Sequence, residues 1–253
     1  MEYGHLTHAV LMKAILVRIG IDHAYGDWNA PVDPVTGEFV YVPIPDGDQK
    51  QYTLGSVHGY QEIVAPLKAF AAKHGVGDLR LPRRLQKRSM HLDPDFHYLT
   101  YGDNGARRGA KIAKLATNDL LVFYAGLRSI TDPNGLVYAL VGLFVVEEVV
   151  RAMDVSEERR HENAHTRWKT LSENDVVVRG RRGVSGRFER CVPIGEWRDR
   201  AYRVCRDVER TWGGLTVKDG YIQRSAVPPE FLNARRFYNW FRQQGVILLA
   251  RNN

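Results

Sequence analysis

The chain has 253 residues, 44% apolar and 26% charged, which suffices for one good core or two small ones. Its two cysteines, Cys191 and Cys205, show no CxxC spacing, which argues against a disulfide framework or cysteine zinc site and fits a reducing cytoplasm. The longest apolar run, Leu136 to Val146, is far short of the ~20 residues of a membrane helix, and the opening lacks signal-peptide features.

Residues 1–11 read as an N-terminal extension ahead of MKAILVRIG. Lys13 to Gly20 predicts a buried strand, its apolar residues nearly continuous. Glu38 to Ile44 predicts a second, Pro-bounded strand. A helix is expected over Glu62 to His74, with Ile63, Leu67, Phe70 and Ala71 on one face and Gly75 and Gly77 stopping it. Asn118 to Ala125 and Leu136 to Val150 predict a β-pair across a turn at Thr131–Gly135, with Gly142 suited to a bulge. A polar helix over Ser156–Trp168 and a strand at Asp175–Val178 follow. Trp197–Trp212 reads as an amphipathic helix carrying the ion pairs Glu196–Arg200, Asp199–Arg203 and Asp207–Arg210. Phe231–Gln243 predicts a last helix and Gly245–Leu249 a final short strand. Without regular strand–helix alternation, the pattern predicts an α+β fold: a mixed, mainly antiparallel sheet with flanking helices. Residues 12–253 are expected to form a single domain, with 185–253 a candidate helical lobe.

The net charge of +7 is unevenly spread. Residues 1–79 carry 5 basic and 9 acidic groups and residues 129–178 the same, −4 each. Residues 80–128 reach +6 and 179–253 reach +9. Two arginine-rich blocks suit phosphate, so a nucleic acid or nucleotide is the expected partner and a membrane is not. A solvated basic surface is the plain alternative.

Four clusters carry potential chemistry. Asp22-His-Ala-Tyr25-Gly-Asp27-Trp28-Asn29 sets carboxylates, an imidazole and aromatics behind the first strand, as a base-stacking loop or as a self-bonded turn with Trp28 closing the core. His91-Leu-Asp93-Pro-Asp95-Phe-His97 alternates ligand types, and in an extended chain these would share one face, though Pro94 favours a loop. Tyr98, Tyr101 and Asp103 precede Arg107, Arg108 and Lys111, which suit phosphate or the solvated face of a helix over Ala106–Leu115. His161-Glu-Asn163-Ala-His165 matches the HExxH pattern of zinc hydrolases. Its charged surroundings lack the apolar flank of a catalytic zinc helix, so no metal is assigned. The chain has no GxGxxG, Walker A or GxSxG motif, and no cofactor is specified.

Several of these segments, in the same order, resemble one family. RIGIDHAYGDWNAPVDP, HYLTYGD, NDLLVFYAGL, Asn163-Ala-His165 with Ser185-Gly-Arg187, and GYIQRS are similar to the nucleotide-modification-associated domains, third family, of phage and bacterial base-modification or conflict systems. The resemblance implies a cytoplasmic protein of DNA or nucleotide modification or phage defence, with partner proteins from the same system. It implies a site in which Asp22, Asn163 and His165 do the chemistry. Tyr25, Trp28, Asn29, Tyr98, Tyr101, Asp103, Ser185 and Arg187 would hold the base or nucleotide, and Arg107, Lys111 and Arg167 the phosphate. His165 as a helix buttress is the structural alternative. The central hairpin is also loosely similar to PUA- and EVE-like domains, so a non-catalytic reader of modified bases is the second reading, with the zinc hydrolase a third.

Overall fold

The computed structural model describes residues 12–47, 51–53, 57–77, 79–106, 108–132, 134–223 and 227–253. In chain order its elements are β1 (Ala14–Arg18), β2 (Pro31–Val32), β3 (Ile44–Pro45), α1 (Gln61–His74), β4 (Met90–His91), β5 (Thr100–Asn104), β6 (Leu120–Ser129) and β7 (Leu136–Arg151). Then come β8 (Asp175–Gly180), β9 (Gly186–Pro193), β10 (Gly195–Arg198), β11 (Ala201–Val204), α2 (Arg206–Trp212), α3 (Ala234–Gln243) and β12 (Leu248–Leu249).

The sheet is mixed and mainly antiparallel, as expected of an α+β protein. β1 and β2 both run parallel to β6, along successive parts of it. β6 and β7 form the antiparallel pair read from the sequence, and the register slips where Phe123 faces Gly142 but Tyr124 faces Leu140. Val141 is thus the bulged residue, one place from the predicted glycine. Besides β6, the 16-residue β7 pairs with β9 along its first part and with β8 along its second, and β5 and β12 complete the outer edges.

Both faces of this sheet are covered, which explains the unbroken apolar runs in β1 and β6. One face carries Ile15, Val17, Leu121 and Phe123 against Ile63, Leu67 and Phe70 of α1. The other carries Leu16, Val122 and Tyr124 against Trp212 of α2 and Phe237 and Phe241 of α3. α1 buries Ile63, Leu67, Phe70 and Ala71, the predicted face, and ends at Gly75 in the left-handed conformation.

Four expectations are corrected. Of the strand expected over Glu38–Ile44, residues 38–43 form only an isolated bridge of Phe39 to Val32 and Ile44 alone enters β3, although Phe39, Val40, Tyr41 and Val42 are all buried. The Asn253 side chain takes the place of a neighbouring strand there, accepting from the Tyr41 N–H and donating to its carbonyl, both at 2.9 Å. Ser156–Trp168 yields only a 3₁₀ turn at Glu157–Glu162, its buried side starting after that turn, at Asn163. Trp197–Trp212 divides into a hairpin and a short helix. Asp199 and Arg200 both adopt positive φ, 51° and 62°, the conformation of a two-residue hairpin turn. This sets Trp197 opposite Tyr202 and leaves Trp197 60% exposed. The expected ion pairs change with it: Arg198 takes Glu196, Arg203 takes Asp219, and only Asp207–Arg210 remains, at 2.9 Å. Where a helix over Ala106–Leu115 is the alternative reading, Arg108–Ala110 and Ile112–Lys114 form two 3₁₀ turns.

No helix among the described residues is long and apolar enough to cross a membrane. Burial pushes the Cys191 thiol up to about 12, far from the thiolate form that reacts with electrophiles. Iodoacetamide at pH 8 should therefore leave Cys191 unmodified in the folded protein and label it promptly in guanidinium. Peptide mass mapping checks this, and rapid labelling of native Cys191 would contradict the burial.

Candidate functional site

Two segments meet beyond the end of β1. The chain leaves β1 at Arg18, turns at Gly20 (φ 77°) and enters the Asp22–Asn29 loop. Against it come β4 and the start of β5, with the Asn163–His165 turn behind them. Together they enclose a cavity of about 200 Å³, lined by Arg18, Asp22 and Tyr25 on one side and by His91, Asp93, Tyr101, Asp103 and His165 on the other. This is below the roughly 300–1,000 Å³ of drug-sized ligand sites, and suits a single small group.

At its floor, Asp93 is buried and its two oxygens are used differently. Oδ1 accepts from the Gly102 N–H at 2.8 Å and from the Asn163 side-chain amide at 3.0 Å. Oδ2 faces the Nε2 atoms of His165 and His91, at 3.8 and 3.9 Å. Each imidazole is held from behind by a second carboxylate, His165 Nδ1 by Asp175 at 2.6 Å and His91 Nδ1 by Asp46 at 3.1 Å. An ionised carboxylate can only accept, so each Nδ1 donates, and in the neutral ring each Nε2 presents its lone pair to the space by Asp93. Trp168 packs against both rings, with centroids 4.9 and 5.8 Å away.

Burial raises the Asp93 carboxyl to about 6, outweighing the fields of the His165 and His91 rings and its hydrogen bonds. Burial also works against protonation of His165, but the Asp175 hydrogen bond and the fields of Asp93, Asp175 and Asp103 prevail and hold it above the usual imidazole value. Among the described residues, His91, Asp93 and His165 bring one ligand atom each within 4.8 Å of one another, a set able to hold a metal.

Of the residues singled out in the sequence, Asp22, Tyr25, Tyr101, Asp103 and His165 line this cavity. Asp22 pairs with Arg18 at 2.7 Å and accepts the N–H groups of Ala24 and Tyr25, so it shapes the loop as well as facing the cavity. The Tyr101 hydroxyl donates to Asp103 at 2.9 Å, and Tyr25 is 59% exposed at the rim. Asn163 stands behind the cavity, bridging Asp93, Thr100 and the His165 N–H.

The others lie elsewhere. Trp28 packs on the core, and Asn29 donates to the Gly126 carbonyl at 2.7 Å. Tyr98 is flanked by the His97 and His161 rings. Ser185 is buried and accepts from the Val145 N–H, tying β7 to the start of β9. Arg187 is buried over the Phe39 ring, and burial lowers it to about 10. Lys111 pairs with Glu230, Arg167 is buried against Asp95, and Arg107 lies outside the described residues.

The alternating run 91–97 also divides. His91 and Asp93 enter the cavity, Asp95 takes Arg167, and His97 is exposed. In HENAH, exposed His161 contacts Tyr98 while His165 enters the cavity, so the two histidines share no helix face. Arg18, Asp46 and Asp175 were not singled out. Their only signal was being polar residues at the ends of predicted strands.

No curated protein and no solved structure matches the chain. The model of nucleotide modification associated domain 3 matches residues 13–206, a span that contains every cavity residue named above, and the chain belongs to that family.

Proposed function

We propose that this protein modifies a nucleobase, in a nucleic acid or a nucleotide, within the cavity between the Asp22 loop and β5. The observation that carries this reading is the meeting of His91, Asp93 and His165, each held by a further polar partner, in a chain of a nucleotide-modification family. Such oriented titratable groups are what chemistry on a substrate needs, and a binding-only pocket does not. A reader of modified bases relies on an aromatic cradle, whereas here only Tyr25 and Tyr101 supply phenol rings beside three carboxylates and two imidazoles.

On this reading Tyr25 and Tyr101 lie against the base, Asp22 and Asp103 orient its polar edge, and His165 belongs to the reacting group. The cavity is acidic and unsuited to phosphate, so the backbone of the substrate runs outside it. The surface for that is the exposed Arg80, Arg83, Arg84 and Lys87 segment, which touches the loop through Arg84 donating to the Gly26 and Asp27 carbonyls at 3.0 and 2.9 Å.

The test is nucleoside mass spectrometry on DNA, RNA and free nucleotides from cells expressing this chain with its natural gene neighbours. An altered nucleoside should appear with the parent and disappear with His165→Ala. A profile identical in the two strains, with the neighbours active, would move the assignment to a reader.

A further inference from the structure

We infer that His91 Nε2, His165 Nε2 and Asp93 Oδ2 together bind one divalent first-row transition-metal ion, leaving its remaining coordination positions open to the cavity. The site is independent of what the substrate is.

The three groups are presented as metal ligands are. Asp46 and Asp175 fix the tautomer of each histidine, so both Nε2 lone pairs point the same way; this carboxylate–histidine arrangement is the usual outer shell of metal-binding imidazoles. Gly102 and Asn163 occupy the far oxygen of Asp93 and aim the near one at the same space. Trp168 packs on both rings and limits their rotation.

Charge favours the same occupant. Asp22, Asp46, Asp93 and Asp175 are buried around the site, with Asp103 half-buried beside them. Arg18 pairs with Asp22, Asp103 accepts from the Tyr101 hydroxyl, and Asp46 and Asp175 each hold one of the two imidazoles beside Asp93. Buried carboxylates are costly unless paired or bound to a metal. Two imidazoles and one carboxylate select a borderline ion such as Fe²⁺, Co²⁺ or Zn²⁺ over Mg²⁺ or Ca²⁺, which take oxygen ligands. Three protein ligands on one side of an accessible cavity is the plan of a catalytic site, not a closed structural one. The two histidine nitrogens stand 3.8 and 3.9 Å from the carboxylate oxygen and all three atoms lie within 4.8 Å of one another, so they must draw in by roughly 0.5–1.4 Å to match metal bonds of roughly 2.0–2.2 Å, a shift within reach of side-chain rotation.

The experiment uses the full chain, stripped with a chelator and titrated with Co²⁺ in the absence of any nucleotide. The expected result is visible d–d absorption saturating at one ion per chain, and one equivalent of retained Fe or Zn by elemental analysis after reloading. His91→Ala and His165→Ala should abolish saturation with their circular dichroism unchanged. Asp46→Asn, which leaves all three ligands in place, should weaken binding about 10–100-fold. His161→Ala should bind like the parent. The inference is overturned if the stripped protein gives no saturable signal, if His91→Ala and His165→Ala bind normally, or if His161→Ala alone abolishes binding. Saturation by metal with no altered nucleoside in cells would instead contradict the base-modification reading and leave the metal site standing.

Discussion

Metal-free protein carrying Asp93→Asn should be more stable than the metal-free parent at pH 8, and on the proposed function the metal-supplied variant should no longer modify a nucleobase. The gain comes from removing a buried charge. The Asp93 carboxyl rises from 3.8 to about 6 in the folded chain, so folding binds its proton more tightly than unfolding does. The sign follows from linkage: this contribution is present below about pH 4 and is lost as pH rises through about 6. With each tenfold change in proton affinity worth about 1.4 kcal/mol, the ionised carboxyl costs up to about 3 kcal/mol at pH 8. His165, also raised, acts in the same direction: its stabilising charge is complete below 6.5 and is lost as pH rises through the folded value. Besides burial, the groups that set them are the His165 and His91 rings with the Gly102 N–H and Asn163 amide at Asp93, and Asp175, Asp93 and Asp103 at His165. The parent without metal should therefore weaken from about pH 4 towards pH 8. Asparagine keeps the acceptor for Gly102 and Asn163 and escapes most of that loss, the gain being reduced because His165 loses a partner. Urea unfolding of both proteins at pH 5 and pH 8 checks this. Equal stability differences at the two pH values would show that Asp93 carries no such burden.

Gly102→Ala should reduce modification by about a hundredfold or more while costing only about 1–3 kcal/mol of stability. A methyl at Gly102 would sit 2.4 Å from Cδ2 of His165 and 2.7 Å from Oδ1 of Asn163. Neither neighbour yields easily: His165 is tied to Asp175, and Asn163 to Asp93 and Thr100. The ring must leave its place between Asp93 and Asp175, and an ångström there is enough to disable a reacting group. Gly77→Ala, where a methyl meets nothing within 4 Å, should behave as the parent. Full activity in folded Gly102→Ala protein would remove His165 from the centre of the site.

Those parts of the fold whose signal is local were legible in the sequence. The β6–β7 pair shows long apolar runs around a turn, and α1 has one apolar face and a glycine stop. Trp197–Trp212 misled because its apolar spacing fits a helix, whereas the positive φ of Asp199 and Arg200 makes a hairpin and carries no obvious glycine signal. Residues 38–43 misled because the partner that pairs with Tyr41 is Asn253, which no local pattern reveals.

The site divides in the same way. Asp22, Tyr25 and His165 stood out as dense polar and aromatic clusters. The His91–His97 alternation looked like one ligand face, but only its first half reaches the cavity, because Asp95 is committed to Arg167. Ser185 and Arg187 lie in a recognisable motif yet serve β9, one holding β7 and the other stacking on Phe39. Asp46 and Asp175 act through histidines distant in the chain or across a turn, so their roles become visible only once the chain is folded.

On the proposed function a nucleobase enters the cavity between Tyr25 and Tyr101. Photocrosslinking locates it most directly, with oligonucleotides carrying 4-thiothymidine and with 8-azidoadenosine nucleotide, followed by peptide mass mapping. Adducts should be confined to residues 18–29 and 91–103 and be lost on competition with unlabelled substrate. Competable adducts on the far face, around α2 or the β9–β12 edge, with none at Tyr25 or Tyr101, would contradict it.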